Sequence, residues 1–284
     1  MTRFELPRVA MDRIIATALE EDLASGDLTT EACVAAEAQA VAHAVARKPM
    51  VACGGPVFAR VFAAVDASLA VETHVEEGAR VEAGTRLWTV RGRARAILMG
   101  ERVAMNLVQR MCGVATQART YADAVPAGCT TRITDTRKTT PGLRALERYA
   151  VRVGGAHNHR DDLGAAVLIK DNHVAACGGV RPAIERARAA APHTAKIECE
   201  VDTLEQLDEA LAAGADIVLL DNMSTATVLE AVKRARARGK ALLEASGGIT
   251  LARVAELSRA GVDAISVGAL THSVQAADVG LDFE

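Results

Sequence analysis

Residues 196–220 read KIECEVDTLEQLDEALAAGADIVLL. Lys196-Ile-Glu-Cys199 and Ile217-Val-Leu-Leu220 are short apolar runs, and 203–213 between them is amphipathic and of helical length. Runs this short cannot make helices, so the segment predicts a strand–helix–strand unit. The rhythm extends both ways. Thr131-Arg-Ile-Thr134 and Ala166-Val-Leu-Ile169 precede it; Ala241-Leu-Leu243 and Ala264-Ile-Ser-Val267 follow, with helical runs at 224–238 and 250–260. Six parallel strands, each followed by a helix, predict an α/β fold: a doubly wound sheet or a TIM-like barrel. No G-x-G-x-x-G follows the first strand, which weakens a dinucleotide fold.

The first 95 residues read differently. Helical spacing over 5–22 breaks at the turn chemistry of Asp22-Leu-Ala-Ser-Gly-Asp27. Val71-Glu-Thr-His-Val75 and Arg86-Leu-Trp-Thr-Val-Arg91 alternate around glycine turns at Gly78 and Gly84, as two half-buried strands do. A long helical stretch follows over 94–125, interrupted by Gly100 and Gly113.

The chain has 284 residues, 50% hydrophobic and 24% charged, which predicts a soluble globular protein of one large domain or two modest ones. With 33 basic and 36 acidic residues, the balance disfavours nucleic-acid or polybasic membrane binding. Seven aromatics (one Trp, two Tyr, four Phe) are too few for base-stacking platforms. The longest uncharged stretch, 264–277, is shorter than the roughly 18–20 residues of a membrane span. Arg3, Glu5, Arg8, Asp12 and Arg13 leave no apolar signal core, and the six cysteines form no C-x-x-C pair. Reduced thiols in a cytoplasmic protein are expected.

Chemistry gathers where the strands end, the working face of α/β barrels and sheets. Asp135-Thr-Arg137-Lys138 follows the first strand, Lys170-Asp171 the second, Glu200 the third and Asp221-Asn222 the fourth. The fifth runs into Glu244 and Ser246-Gly247-Gly248, the sixth into Gly268. Glycines before a helix let backbone N–H groups reach an anion, and the last two strands of a barrel commonly hold a phosphate. Residues 132–160 carry seven Arg or Lys against two acids. Arg144, Arg148 and Arg152 make an exposed helix stripe, whereas Arg137, Lys138 and Asn158-His159-Arg160 suit a polyanionic substrate. Glu200 and Asp221 facing such a substrate need a cation between, and Mg2+ is the usual solution with phosphates.

These residues resemble the quinolinate phosphoribosyltransferases, type II phosphoribosyltransferases. The resemblance spans most of the chain. Its marks are Glu21-Asp-Leu with Gly26-Asp-Leu-Thr29, Glu101-Arg-Val-Ala-Met-Asn106, the stretch from Asp135 to His173 (D-T-R-K-T-T-P-G-L-R, A-V-R-V-G-G, N-H-R, L-I-K-D-N-H), Glu198-Cys-Glu-Val201, Leu220-Asp-Asn222, Glu244-Ala-Ser-Gly-Gly248 and Val267-Gly-Ala-Leu-Thr-His-Ser273.

The resemblance implies an N-terminal α/β sandwich over 1–110, joined by a tail at 272–284. It implies a TIM-like open α/β barrel of six to seven parallel strands over 111–271. It also implies a Mg2+-dependent reaction of quinolinate with phosphoribosyl pyrophosphate, giving nicotinate mononucleotide, pyrophosphate and CO2 in NAD synthesis. By the same resemblance Arg137, Lys138, His159, Arg160 and Lys170 hold the dicarboxylate and part of the pyrophosphate, with Thr136 beside them. Glu200 and Asp221 face ribose and metal. Ser246, Gly247, Gly248, Gly268 and Ala269 take the 5′-phosphate, with Val267 adjoining. Arg102 reaches into the partner's site of a homodimer. The resemblance leaves open which of Lys138 and Lys170 assists decarboxylation.

Ala156, Ala165 and Cys112 depart from the family's usual glycine, aspartate and serine. His157 and His173 read as packing or capping residues more readily than as catalysts. A nicotinate or other pyridine-carboxylate phosphoribosyltransferase is the nearest rival. A non-catalytic metabolite binder and a sugar-phosphate lyase or isomerase are more distant. Lys170 and Arg102 favour a substrate with a second carboxylate; Glu200 and Asp221 disfavour mere binding of an anion.

Overall fold

The computed structural model describes residues 5–284; Arg3 and the first four positions of the expected N-terminal domain lie outside the described residues. In chain order the elements are α1 (Arg8–Leu23), α2 (Leu28–Cys33), β1 (Gln39–Ala46), β2 (Met50–Val51), α3 (Gly55–Val65), β3 (Ala70–Thr73), β4 (Arg80–Val81), β5 (Arg86–Arg93) and α4 (Ala94–Asp123). Then come β6 (Arg132–Thr134), α5 (Arg144–Val153), β7 (Val167–Ile169), α6 (Asp171–Cys177), α7 (Val180–Ala190), β8 (Ile197–Val201) and α8 (Leu204–Ala212). The chain closes with β9 (Ile217–Asp221), α9 (Thr225–Arg238), β10 (Leu242–Ser246), α10 (Leu251–Ala260), β11 (Ala264–Ser266), a 3-10 turn at Gly268–Leu270, and β12 (Val279–Phe283).

Two compact units result. The first combines the segment ending at Arg119 with Thr139–Gly155 and Ala269–Glu284; the second combines Thr120–Lys138 with Ala156–Gly268. The boundary therefore differs from a cut between 110 and 111. Acids that accept hydrogen bonds from it and from its neighbours, Glu147 buried and Glu77 exposed, explain why 139–155 belongs to the first unit. Glu147 is fully buried on α5 and accepts from Arg110 Nε at 2.9 Å and Nη2 at 2.8 Å. The same carboxylate takes the Thr140 N–H (3.0 Å) and hydroxyl (2.7 Å). Arg110 also donates to Val274 O at 3.0 Å, drawing in the tail. Tyr149 donates to Glu77, which accepts the N–H groups of Gly54 and Gly55.

The first unit is built on an antiparallel sheet in the order β12-β1-β5-β3. Trp88 on β5 is buried and stacks on Phe58 of α3, which meets Phe62 edge-on. The two glycines that interrupt α4 are places of close approach. A Cβ at Gly100 would come within 2.9 Å of the Phe62 ring, and one at Gly113 within 2.2 Å of Gln275 O.

The second unit carries a parallel sheet of six strands in the order β6-β11-β10-β9-β8-β7. Chain neighbours are spatial neighbours from β7 to β11, and the first strand, β6, pairs with the last. A doubly wound sheet reverses its order at a switch point; this sheet instead wraps into a barrel left open between β6 and β7. A single parallel bridge from Thr134 to His157 adds to the free side of β6. His157 is thus held by its backbone, donating its N–H to Ile133 O at 2.8 Å.

Removing one partner of a buried ion pair strands the other. Glu147→Ala is therefore expected to lower the unfolding free energy by about 3–5 kcal/mol, read as a shift in the urea midpoint. An unchanged midpoint would deny the Arg110–Glu147 pair its role.

Candidate active site

The site of the second unit is anchored by Asp135, the residue after β6. It has no solvent exposure. Its carboxylate accepts from Asn158 Nδ2 at 2.6 Å and from the His159 N–H at 2.7 Å, while its own N–H donates to His157 O at 3.0 Å. The turn 157–160 is thereby tied to the end of β6. Thr136 and Arg137 are half-buried beside it and Lys138 is exposed. The Lys138 N–H donates to Thr136 Oγ1 at 3.2 Å.

His159 points inward. Its Nε2 lies 3.1 Å from Glu198 Oε2 and 3.5 Å from Glu244 Oε1, and its Nδ1 accepts the Arg160 N–H at 2.8 Å. Both ring nitrogens are engaged within the protein, so His159 orients Arg160 more directly than it presents a donor outward. Glu198 and Glu244 are buried. Burial lowers the His159 pKa, but Glu198, Glu244 and Asp135 together outweigh it and the net shift is upward. Burial, then the neighbouring Glu198, pushes Glu244 up to about 7.

Glu244 was expected just past the end of its strand. It lies inside β10, which runs on to Ser246, and points into the barrel. Glu198 was noticed only within a motif. One signal marks both. Alternate residues of a strand share a face, so Glu198 and Glu200 on β8 form a deep and a rim position, as do Glu244 and Ser246 on β10.

At the rim, Lys170 caps α6 and its Nζ contacts Glu200 Oε2. His173 Nδ1 accepts the Lys170 N–H at 3.0 Å, so His173 is a capping residue. Arg160 donates through Nη1 to Ala166 O at 3.1 Å. Burial and then the charge of Arg137 lower the Arg160 pKa. Two guanidiniums that oppose each other's charge make a site ready for an anion. Asp221 ends β9, in register with Ser246 of β10. Gly247 and Gly248 follow, two residues before the Thr250 N-cap of α10. Val267 is buried and donates its N–H to Thr134 O at 2.9 Å.

The second unit thus brings Thr136, Arg137, Lys138, His159, Arg160, Lys170, Glu200, Asp221, Ser246, Gly247, Gly248, Val267 and Gly268 to the C-terminal ends of its strands. Arg102 is exposed on α4 of the first unit, and Ala269 is the first residue of that unit's last segment. Two donor sets suit a cation: the rim carboxylates Glu200 and Asp221, and the deep group His159, Glu198 and Glu244, whose ligand atoms lie within 4.8 Å of one another.

Two departures have compensations. The Cys112 thiol donates to Cys53 O at 3.2 Å and accepts the Cys53 N–H at 3.3 Å, as a hydroxyl would; burial pushes its pKa up to about 12, so it stays protonated. Ala156 is buried. All six cysteines are free thiols.

The Glu244 proton carries a pH signature. A carboxyl raised on folding stabilises fully below its unfolded pKa, near 4.3, and loses that contribution as pH rises through about 7. His159, also raised, acts in the same direction. Between pH 5 and pH 8 the urea stability of the wild type is expected to fall further than that of Glu244→Gln, by about 2 kcal/mol. Equal falls would mean that Glu244 is ionised throughout.

Residues 27–112 match the family model "Quinolinate phosphoribosyl transferase, N-terminal domain", and 114–282 match its C-terminal domain. A Mycobacterium leprae protein named nicotinate-nucleotide pyrophosphorylase [carboxylating] is 48% identical over 275 residues, covering 94% of this chain and 95% of that one. A human protein of the same name is 40% identical, covering 97% and 92%. The crystal structure of NadC from Streptococcus pyogenes superposes with a TM-score of 0.93 at 37% identity, covering 99% of this chain and 100% of that one. With both domains matched in order along nearly its whole length, the chain belongs to the quinolinate phosphoribosyl transferase family.

Proposed function

We propose that this protein transfers the phosphoribosyl group of phosphoribosyl pyrophosphate to the ring nitrogen of quinolinate. The ring then loses its 2-carboxylate as CO2, and nicotinate mononucleotide and pyrophosphate are released for NAD synthesis. The observation that carries the reading is the pair of turns bearing Arg137, Lys138 and Arg160, tied together by the buried Asp135, with Lys170 and Glu200 paired at the same rim. Such a rim fits two polyanionic substrates and a transition state that is positive at carbon.

Arg137, Lys138, Arg160 and Lys170 bind the quinolinate carboxylates and part of the pyrophosphate, and Thr136 supports that turn. His159 sets the Arg160 backbone. Ser246, Gly247, Gly248, Val267, Gly268 and Ala269 form the 5′-phosphate subsite. Attack at the anomeric carbon passes through an oxocarbenium-like state, which the carboxylates of Glu200 and Asp221 stabilise. Decarboxylation leaves an electron pair on the ring carbon beside the alkylated, positive nitrogen; that carbon then takes a proton, with Lys138 or Lys170 as the nearby acid.

Glu200 and Asp221 supply only carboxylate oxygens, the donors Mg2+ takes, so they fit that ion. These two carboxylates would hold Mg2+, which would supply charge neutralisation for the departing pyrophosphate. Arg102 completes the site of the partner in a homodimer. The six free thiols accord with a cytoplasmic setting, and no helix among the described residues is long and apolar enough to cross a membrane.

Purified protein given quinolinate, phosphoribosyl pyrophosphate and Mg2+ is expected to form nicotinate mononucleotide and CO2, with nicotinate inert in parallel. Turnover of nicotinate without CO2 would reverse the substrate assignment. Arg137→Ala is expected to retain under a tenth of kcat/KM, because a charge-assisted contact contributes roughly 1.5–3 kcal/mol. Mixing inactive Arg102→Ala with inactive Lys138→Ala should restore partial activity through hybrid dimers; no recovery despite verified subunit exchange would place Arg102 in its own subunit's site or outside any.

A further inference from the structure

Among the described residues, Asn222 is the one non-glycine with a positive φ, at 50°. Asparagine tolerates this left-handed conformation better than most residues, and such outliers gather at functional sites. Here the conformation has a visible product. It lets the Asn222 side chain turn back so that Nδ2 donates to Asp221 Oδ2 at 2.7 Å, while the Asn222 N–H donates to Ser246 O at 3.1 Å. One residue thus touches both the rim acid of β9 and the end of β10.

The two glycines after Ser246 differ in what surrounds them. Gly247 has a φ of 84°, and a Cβ on it would lie 2.2 Å from Asn222 Oδ1, 2.5 Å from its Cγ and 2.9 Å from its backbone N. A Cβ on Gly248 would meet nothing within 4 Å. Gly247 is bare both because Asn222 occupies the space and because its own backbone is left-handed; at Gly248 the space beside the Cα is open. Asn222 itself is exposed and contributes nothing to the core.

We propose that Asn222 is a positioning residue that holds the Asp221 carboxylate and the Ser246–Gly248 turn in one fixed relation, with Gly247 as the seat for its side chain. The inference rests on the assignment of Asp221 to the ribose and of that turn to the 5′-phosphate. It adds a specific division of labour: Gly248, not Gly247, presents its backbone to the phosphate.

The test is a double-mutant cycle on the full chain with Asn222→Gly, Gly247→Ala and the double variant. Glycine accepts the positive φ, so Asn222→Gly keeps the backbone and removes only the side chain. Asn222→Gly is expected to lower kcat at least tenfold and to weaken phosphoribosyl pyrophosphate binding several-fold by calorimetry with Mg2+. KM for quinolinate should stay within about twofold, and Tm should be unchanged within a few degrees. Gly247→Ala is expected to cost at least tenfold in the wild-type background and several-fold less when Asn222 is already glycine, because the side-chain part of the clash has gone while the 2.9 Å approach to the backbone N of residue 222 and the positive φ of residue 247 remain in both backgrounds. Multiplicative effects would mean that Gly247 serves the phosphate directly and would overturn the seat. Should Gly247→Ala fail to fold, Asn222→Gly alone decides, since unchanged kcat and unchanged binding sink the proposal. A wild type that binds phosphoribosyl pyrophosphate but turns over neither pyridine substrate defeats the proposed function alone; the binding comparison still judges Asn222, and no binding by either protein overturns it.

Discussion

The Asp135 carboxylate is the fixed point of the second unit's rim. It receives Asn158 and the His159 backbone, and the cations Arg137 and Arg160 stand just beyond the two strands of chain it joins. Holding two guanidiniums together is unfavourable: at an effective dielectric near 20, like charges several ångströms apart repel by on the order of a few kcal/mol. The barrel offsets this from beneath. Asp135 and Glu198 are buried carboxylates beneath the rim, and negative charge there favours cations above it. The arrangement has two layers, negative below and positive above, and substrate charge completes it from outside.

The deep layer has its own constraint. Several buried carboxylates cannot all be ionised without matching positive charge. Two protons resolve this: one on His159 Nε2 facing Glu198, and one shared at Glu244, whose pKa near 7 reflects burial first and Glu198 second. The deep group resembles a metal-ligand set in its spacing, and the same spacing suits a hydrogen bond from His159 Nε2 to Glu198. The proposed Mg2+ seat, Glu200 and Asp221, is a separate pair at the strand ends.

Much of this was legible beforehand. Short apolar runs that end in charge or glycine are what a parallel barrel strand must look like: its middle is buried between helices and its end meets solvent and substrate. The rim residues were therefore readable one by one. Glu198 and Glu244 were not, because a glutamate inside an apolar run looks like a strand end until its burial is known. The membership of 139–155 was hidden for a similar reason. It is decided by one arginine–glutamate pair, Arg110 with Glu147, that are 37 residues apart in the chain. Strand β1 was missed because alanine, a weak strand former, fills half of its positions, and its pairing with β12 is as non-local as the chain allows.

At two of the positions where the chain departs from its family's motifs, the contacts made there run to or through the backbone. Cys112 stands where the family has serine, and both of its hydrogen bonds go to the backbone of Cys53, which a thiol can serve as a hydroxyl does. Ala156 precedes His157, whose part in the barrel is played by its N–H and C=O against β6, so the side chain one residue earlier is constrained only by space. At Arg137, Arg160, Lys170, Glu200 and Asp221 the proposed reaction uses the side-chain charges themselves, and none of them departs from the motif. Asn222 belongs with this second group by the same criterion. Its amide is what reaches Asp221, and no backbone atom at that position could replace it.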